Sequence, residues 1–498
     1  MINDFVFITP ESAGLASEKV HEMLDYLEEW KMNVHSFLIA RGGNIIAEAY
    51  APPFDEHFKH RLYSCTKTFV AIAVGKLVGE GKVRLDDKLY TFFPEYTNGE
   101  HLNEWVKDIT IKDALTMSVP FIPDGYINAG KGVTKFKTKD WAKSFFSGEF
   151  PSVKPNSMLF SYNTSATYEL NVLVEKLTGK TFLEYIQPEL KEIGIEDIEC
   201  VQSPDGYSWG GSGILCKMRD FAKFGELLMH KGEYKGKQLF PRKYMEEAIS
   251  KQTDTLMDGG YGVDIGYGYQ IWVHKYGFAL HGMAGQFIFC FPDKDFMFVC
   301  NSDTLNAREG YKDKFYHCAL LLYHALQENA LTEKEKEYSR LQARLKAFAL
   351  PLGFGEKNSL LQNQIDGATY ELSDNAMKIT SVCFSWTGER GVLYYENERG
   401  KKEIPFGMEY YETFTFPETH YYDKRVATPA NRGLRALSSA SWLSENRLLI
   451  RVNIADTNMG HLGIVADFKG DLVALKFTKT AEELLWEYNG YAVGKKID

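Results

Sequence analysis

The chain lacks most of the marks that tie a sequence to a special environment. Its seven cysteines contain no Cys-x-x-Cys pair, which argues against a zinc ribbon or a disulfide framework. Their mostly apolar contexts suit small core residues. No apolar run approaches the roughly 20 residues that span a bilayer. The opening MINDFVFITPES has no basic-then-apolar leader pattern and the end carries no lipidation or retention signal, so a cytoplasmic protein is expected. Metal-binding strings such as His-Glu-x-x-His are absent, and His57-Phe-Lys-His60 reads as an ordinary loop; neither a metal nor a cofactor is expected. Basic residues are outnumbered, 57 Lys and Arg against 67 Asp and Glu, a net charge of −10. That excludes a general nucleic-acid coat, because phosphate binding needs a basic surface. Gly210-Gly-Ser212-Gly-Ile214 misses the last glycine of Gly-x-Ser-x-Gly, so an α/β-hydrolase elbow is unsupported. The glycines from Gly259 to Gly268 fail the spacing of a dinucleotide loop.

What the chain does have is core-forming material. Of 498 residues, 44% are hydrophobic and 14% aromatic, enough for a sizeable interior and against disorder. Val20, Met23, Leu24 and Leu27 recur at helical spacing between Leu15 and Trp30. Residues 35–40 and 45–50 read as strands joined at Gly42-Gly43-Asn44, residues that tolerate positive φ in a hairpin. An apolar helix is expected over 64–79, and further helices near 110–117, 165–178 and 218–231. Glu169 and Glu175, on one of these helices, read as solvated. Residues 267–273, 278–281, 286–291 and 296–301 read as strands, followed by a helix near 309–328. Short links between strands imply an antiparallel sheet flanked by helices, with a helical insertion between its two ends. Thr332 to Glu335 has the pattern of a capping box opening a helix to about Ala349. Beyond 366, strand follows strand, as in an antiparallel meander or small barrel. The fold class is therefore α/β of the α+β kind, with one domain over 1–350 and a β-rich domain over 351–498.

The sharpest chemical signal is Ser64-Cys65-Thr66-Lys67. Its i, i+3 spacing at a helix start places a hydroxyl and an amine on one face, one turn apart. A serine is a poor nucleophile until a neighbour removes its proton, and a lysine held neutral by burial or by another cation can do so. The helix N-terminus adds free N–H groups where negative charge would develop. Tyr162, just before the helix at 165–178, can point its phenol into a cleft. Beside a lysine ammonium its phenolate would be favoured, giving an acid and base. His281-Gly282-Met283-Ala284-Gly285 ends a strand with small residues that let a backbone run close to a substrate. Amide groups here could complete an oxyanion hole with that of Ser64.

Ser-x-x-Lys, then Tyr162-Asn163-Thr164, then His281-Gly282-Met283, in this order, resemble the serine β-lactamase-related superfamily. That group includes class C β-lactamases, D-alanyl-D-alanine carboxypeptidases and family VIII esterases. Pro10–Leu15, Ile109–Met117, Trp209–Ile214, Asp220–Gly225 and Gly266–Trp272 add to the likeness, which covers about residues 10–325. The resemblance implies a β-lactamase/transpeptidase-like fold in which Ser64 is acylated, Lys67 activates it and Tyr162 relays protons to the leaving group and the deacylating water. It implies substrate or oxyanion contacts from Thr164, His281, Gly282 and Ala284. Two positions depart from the family pattern: Thr164 stands where Asn is preferred, and Met283 where Gly is expected. His281 replaces the usual Lys, so efficient penicillin or cephalosporin hydrolysis is not expected.

The expectation is thus a serine hydrolase for a small ester, amide or peptide, with no nucleic-acid or membrane partner. An apolar acyl group fits if Tyr63, Phe121, Tyr126, Phe160, Tyr207 and Trp209 line the cleft. The alternatives are an inert binding or scaffold member of the same fold, and a D-amino-acid peptidase. The C-terminal domain would cover the cleft, shape substrate choice or mediate self-association.

Overall fold

Gly42 and Gly43 both take positive φ, +57° and +68°, and turn strand β2 (Val34–Arg41) back into β3 (Asn44–Tyr50). In the computed structural model this hairpin is one end of an eight-stranded sheet. Residues 5–97, 102, 104–121, 140–146, 152, 154–255, 264–305, 310–417, 433–481, 485 and 487–497 are described. Tyr126 and the glycine run from 259 to 263 lie outside them.

The sheet also takes in β1 (Val6–Phe7), β4 (Asp264–Tyr267), β5 (Trp272–His274), β6 (Gly277–Gly282), β7 (Gln286–Phe291) and β8 (Phe296–Ser302). Its order is β1-β3-β2-β8-β7-β6-β5-β4, antiparallel except where β1 lies parallel to β3. The long stretch between β3 and β4 holds the helical insertion.

Both faces of the sheet are covered, so β2, β7 and β8 are buried almost throughout rather than on alternate residues. On one face Phe37, Phe287, Phe289 and Phe298 pack with helices α1 (Ser17–Glu29) and α5 (Tyr311–Ala325). On the other lie α2 (Thr66–Gly79) and α4 (Met218–Met229), whose Phe69 and Phe224 rings stack at 3.6 Å. Gly225 lets α4 approach the sheet, since a Cβ there would sit 3.0 Å from Ile288 Cγ2. Helix α2 is buried on nearly every side. Helix α3 (Thr164–Thr178) packs against it and starts from an Asn163 cap whose side chain accepts the Ala166 N–H at 3.1 Å.

Two local expectations change. Residues 267–273 do not form one strand: β4 and β5 are antiparallel neighbours, and the chain turns between them with Gln270 at φ +60°. Gln270 is held there by Thr68 Oγ1, which donates to its carbonyl at 2.9 Å, and by Thr167 Oγ1, which donates to its side-chain oxygen at 2.7 Å. Its own amide donates to the Ala114 and Leu115 carbonyls, both at 2.9 Å. The Thr332–Glu335 box does not form either. The helix there runs Glu335–Lys346 without a side-chain cap, because Lys334 pairs with Glu18 and Glu333 accepts from Thr9.

From Leu350 a second unit begins. It contains β9 (Thr369–Leu372), β10 (Ile379–Thr387), β11 (Arg390–Asn397), β12 (Gly400–Gly407), β13 (Glu412–Phe416), β14 (Leu434–Ser444), β15 (Arg447–Ala455), β16 (Met459–Lys469), β17 (Leu472–Ala481) and β18 (Gly490–Ile497). Meander or barrel is decided by one contact: β12 pairs with β14 at Gly407 and Ser439, so nine strands close into a barrel. Phe384, Trp386, Trp442 and Phe468 pack ring against ring in its core. No helix among the described residues is long and apolar enough to cross a membrane.

Buried His274 on β5 carries a pH signature. Burial pushes its imidazole down to about 4, and its Nε2 lies 3.1 Å from the Phe278 carbonyl. A depressed histidine adds stability that is complete above its unfolded value near 6.5 and is lost as pH falls toward 4. On the order of 3 kcal/mol should disappear over that window in urea unfolding. His274→Gln should flatten the slope, and an unchanged slope would show that this histidine is not held neutral.

Candidate active site

Tyr63 leads the chain into α2 through a left-handed residue, φ +48°, a costly conformation for a tyrosine. The Arg61 guanidinium lies 4.8 Å over its ring and donates to the Ser212 carbonyl at 2.8 Å, holding the turn in place. Ser64 follows in a short 3-10 turn and is partly exposed, while Lys67 behind it is 1% exposed.

The Lys67 amine lies among groups from three parts of the chain. Ser64 Oγ is at 3.0 Å, the Gly211 carbonyl at 2.7 Å, and the Tyr162 ring centroid at 5.2 Å. The Tyr162 hydroxyl is near enough to Ser64 for the serine hydroxyl to bear on its ionisation. The structure therefore brings Ser64, Lys67 and Tyr162 into one cluster. The phenolate expected for Tyr162 is not its resting form. Its ring is partly exposed, but burial around the hydroxyl pushes its pKa up, against a smaller opposing effect of the Ser64 hydroxyl.

Thr164 joins the cluster through Gly211. A Cβ on Gly211 would lie 2.3 Å from Thr164 Cγ2, and one on Gly210 would lie 2.7 Å from Asn171 Cβ and 2.9 Å from Val70 Cγ2. The two glycines are thus wedged between α2 and α3, which is how a backbone carbonyl reaches a buried lysine.

The hairpin β6–β7 ends against the nucleophile turn. A Cβ on Gly282 would be 2.3 Å from the Leu62 carbonyl, and Cys65 Sγ lies 3.3 Å from the Gln286 carbonyl. Ala284 in the turn is buried with φ +64°. Its carbonyl accepts from Ser302 Oγ at 2.7 Å, and from Thr304 at 2.9 Å through Oγ1 and 3.0 Å through N–H. These bonds set the direction of the turn's amides.

His281 does not join Ser64. It stacks on Trp272 at 5.4 Å and meets the Phe287 ring edge-on at 5.2 Å, on the sheet face that packs against α5. Burial, then the charges of Lys312 and His274, push its pKa well below the ordinary histidine value, so it is a neutral imidazole.

Several site residues carried too little sequence signal to be singled out. Trp272 lies parallel to the Tyr162 ring at 5.8 Å. Asp264 is 3.6 Å from His281 Nδ1, and Lys312 lies 5.7 Å from the Trp272 ring. Burial raises the Asp264 carboxyl and lowers the Lys312 amine. Trp272 and Gly211 stood inside stretches already marked by the resemblance; Asp264 and Lys312 had no motif at all.

Glu169 and Glu175 depart from their solvated reading. Glu169 is fully buried and Glu175 accepts the Ser208 N–H at 3.1 Å; burial raises both carboxyl pKa values. The reason is that α3 is covered on more faces than its sequence pattern suggests. Of the aromatic candidates, Phe121 packs on Phe145, and Trp209 on Trp141 and Tyr168, as core residues. Phe160 touches Tyr267 and Trp272 beside Tyr162.

An antiparallel sheet with a Ser-x-x-Lys helix on one face, a tyrosine from a second helix start and a hairpin end at the serine define the β-lactamase class of fold. The family model described as Beta-lactamase matches residues 26–321, more than half of the chain, and the chain belongs to that family. The 6-aminohexanoate-dimer hydrolase of Paenarthrobacter ureafaciens is 21% identical over 237 residues, 45% of this chain and 60% of that one. The match thus spans less than two thirds of that relative's length. A Bacillus anthracis protein assigned as a 6-aminohexanoate-dimer hydrolase superposes with a TM-score of 0.52 at 20% identity, covering 66% of this chain and 88% of the other. EstCE1, a hydrolase with promiscuous acyltransferase activity, gives 0.50 at 13% identity over 62% and 99%. At these identities the solved structures establish likeness of fold.

Gly211→Ala tests the wedge. Overpacking against Thr164 should cost roughly 1–3 kcal/mol and lower the melting temperature by several degrees. Gly463→Ala in β16, where a Cβ meets only the Thr478 carbonyl at 3.9 Å, should leave it nearly unchanged. Equal effects would show that position 211 has room to spare.

Proposed function

We propose that this protein is a serine hydrolase that cleaves a small ester or amide through an acyl-enzyme on Ser64. The observation that carries the reading is the 3.0 Å approach of the Lys67 amine to Ser64 Oγ, with the Tyr162 ring 5.2 Å from that amine. Lys67 takes the Ser64 proton as Oγ bonds to the substrate carbonyl carbon. The oxygen of the tetrahedral adduct is held by the N–H groups of Ser64 and Ala284. The adduct collapses as the bond to the leaving group breaks. Tyr162 gives that group its phenolic proton and is reprotonated from Lys67. Water then attacks the acyl carbon, losing its proton to the same pair, and Ser64 leaves as a hydroxyl.

Likeness to a relative named for hydrolysing the 6-aminohexanoate dimer supports including a linear amide among the substrates. The neutral His281, turned to Trp272, supports a preference for esters and simple amides over β-lactam carboxylates, since it offers no fixed cation. Residues 1–350 are assigned to the hydrolase and 351–498 to an accessory β domain.

Labelling by a fluorophosphonate probe tests the reading. Wild type should form a covalent adduct on Ser64, and Ser64→Ala should form none while keeping its melting temperature. Lys67→Ala should lose nearly as much turnover as Ser64→Ala, because the pair acts as a unit. Tyr162→Phe should lose roughly 10²-fold on a panel of short acyl esters and linear amides. Adduct formation in Ser64→Ala, or full turnover without it, would overturn the assignment. No adduct and no turnover in wild type would favour an inert member of the fold.

A further inference from the structure

Helix α4 ends at His230, and Glu226 lies one turn earlier on the same face. Opposite them, Asp295 sits in the turn between β7 and β8 at φ +48°. One ligand-capable atom from each of the three residues lies within 4.8 Å of the others, a grouping found among the described residues.

Glu226 is the unusual member. Its side chain is 2% exposed, and neither carboxylate oxygen has a hydrogen-bond partner. A buried, unbonded carboxylate is costly unless something positive faces it. The neighbouring imidazole is already oriented. His230 Nδ1 lies 3.0 Å from the Glu226 main-chain carbonyl, which turns Nε2 away from that carbonyl. That Nε2 is 3.7 Å from Asp295 Oδ1.

We infer that Glu226, His230 and Asp295 form a binding site for one divalent first-row transition cation, outside the Ser64 cluster. With metal–ligand bonds of about 2.0–2.2 Å, neighbouring donors in a tetrahedral site lie roughly 3.3–3.5 Å apart. The Nε2–Oδ1 separation needs to close only by a few tenths of an ångström. One imidazole and two carboxylates suit zinc or manganese better than a soft cation. His230 and Asp295 are partly exposed, so water can fill the remaining positions. The ion would clip the end of α4 to the β7–β8 turn, on the same helix whose Phe224 stacks on α2. The inference is independent of the Ser64 reading.

Calorimetric titration of the chelator-treated full-length chain with Zn²⁺ tests it. One ion per chain should bind, with a dissociation constant below ~0.1 mM and a rise in melting temperature at saturation. Glu226→Gln keeps the shape of its side chain, and Asp295→Asn suits the left-handed backbone. Each should weaken Zn²⁺ at least roughly tenfold. The half-exposed His230→Gln gives a third variant should either of those fail to fold. Absence of Zn²⁺ binding in wild type would overturn the proposal. So would unchanged affinity in folded variants, which would place the ion elsewhere, for instance on cysteine.

Discussion

A lysine amine buried to 1% exposure must be given acceptors, and that requirement organises the helical face of the first unit. One acceptor is Ser64, set by helix periodicity. Another is the Gly211 carbonyl, which reaches Lys67 because two successive glycines let the backbone pass between α2 and α3. Arg61 fastens the neighbouring Ser212 carbonyl while lying over Tyr63, so one cation braces both the glycine segment and the strained residue before Ser64. The site thus depends on backbone placement as much as on side chains.

The second layer is aromatic and polar. Tyr162 lies against Trp272, and Trp272 against His281, so a stack of rings runs from the serine cluster to the other face of the sheet. Gln270, at the turn leading into β5, binds α2 through Thr68, α3 through Thr167 and the helix Ile111–Leu115 through two carbonyls. One buried amide therefore holds three helices in register. Satisfying every polar atom of such a residue is what makes a position specific.

Much of this was legible before any coordinates. The hairpin at Gly42-Gly43, the α2 helix and β6 to β8 emerge where period and turn chemistry place them, because each is dictated by neighbours in sequence. The alignment of Ser64 with Lys67 follows from 3.6 residues per turn. Less legible were the elements that rest on distant partners. The strand expected across 267–273 is broken by Gln270, whose partners are up to 202 residues away. The solvated reading of Glu169 failed because helix amphipathicity does not report how many neighbours a helix has. Barrel closure turns on the pairing of Gly407 with Ser439, which strand pattern alone does not contain.

Local chemistry was thus written in the chain itself: which residues begin a helix, which turn a hairpin, and which hydroxyl and amine share a helix face. Those depend on separations of a few residues, where sequence spacing and spatial distance are nearly the same. Only the tertiary structure decided that Tyr162 lies over the Lys67 amine, that His281 is neutral and turned to Trp272, and that Glu226 and His230 meet Asp295. Each of these rests on burial and on long-range approach. Desolvation sets the charge state of an ionisable group, and desolvation is a property of the surrounding fold.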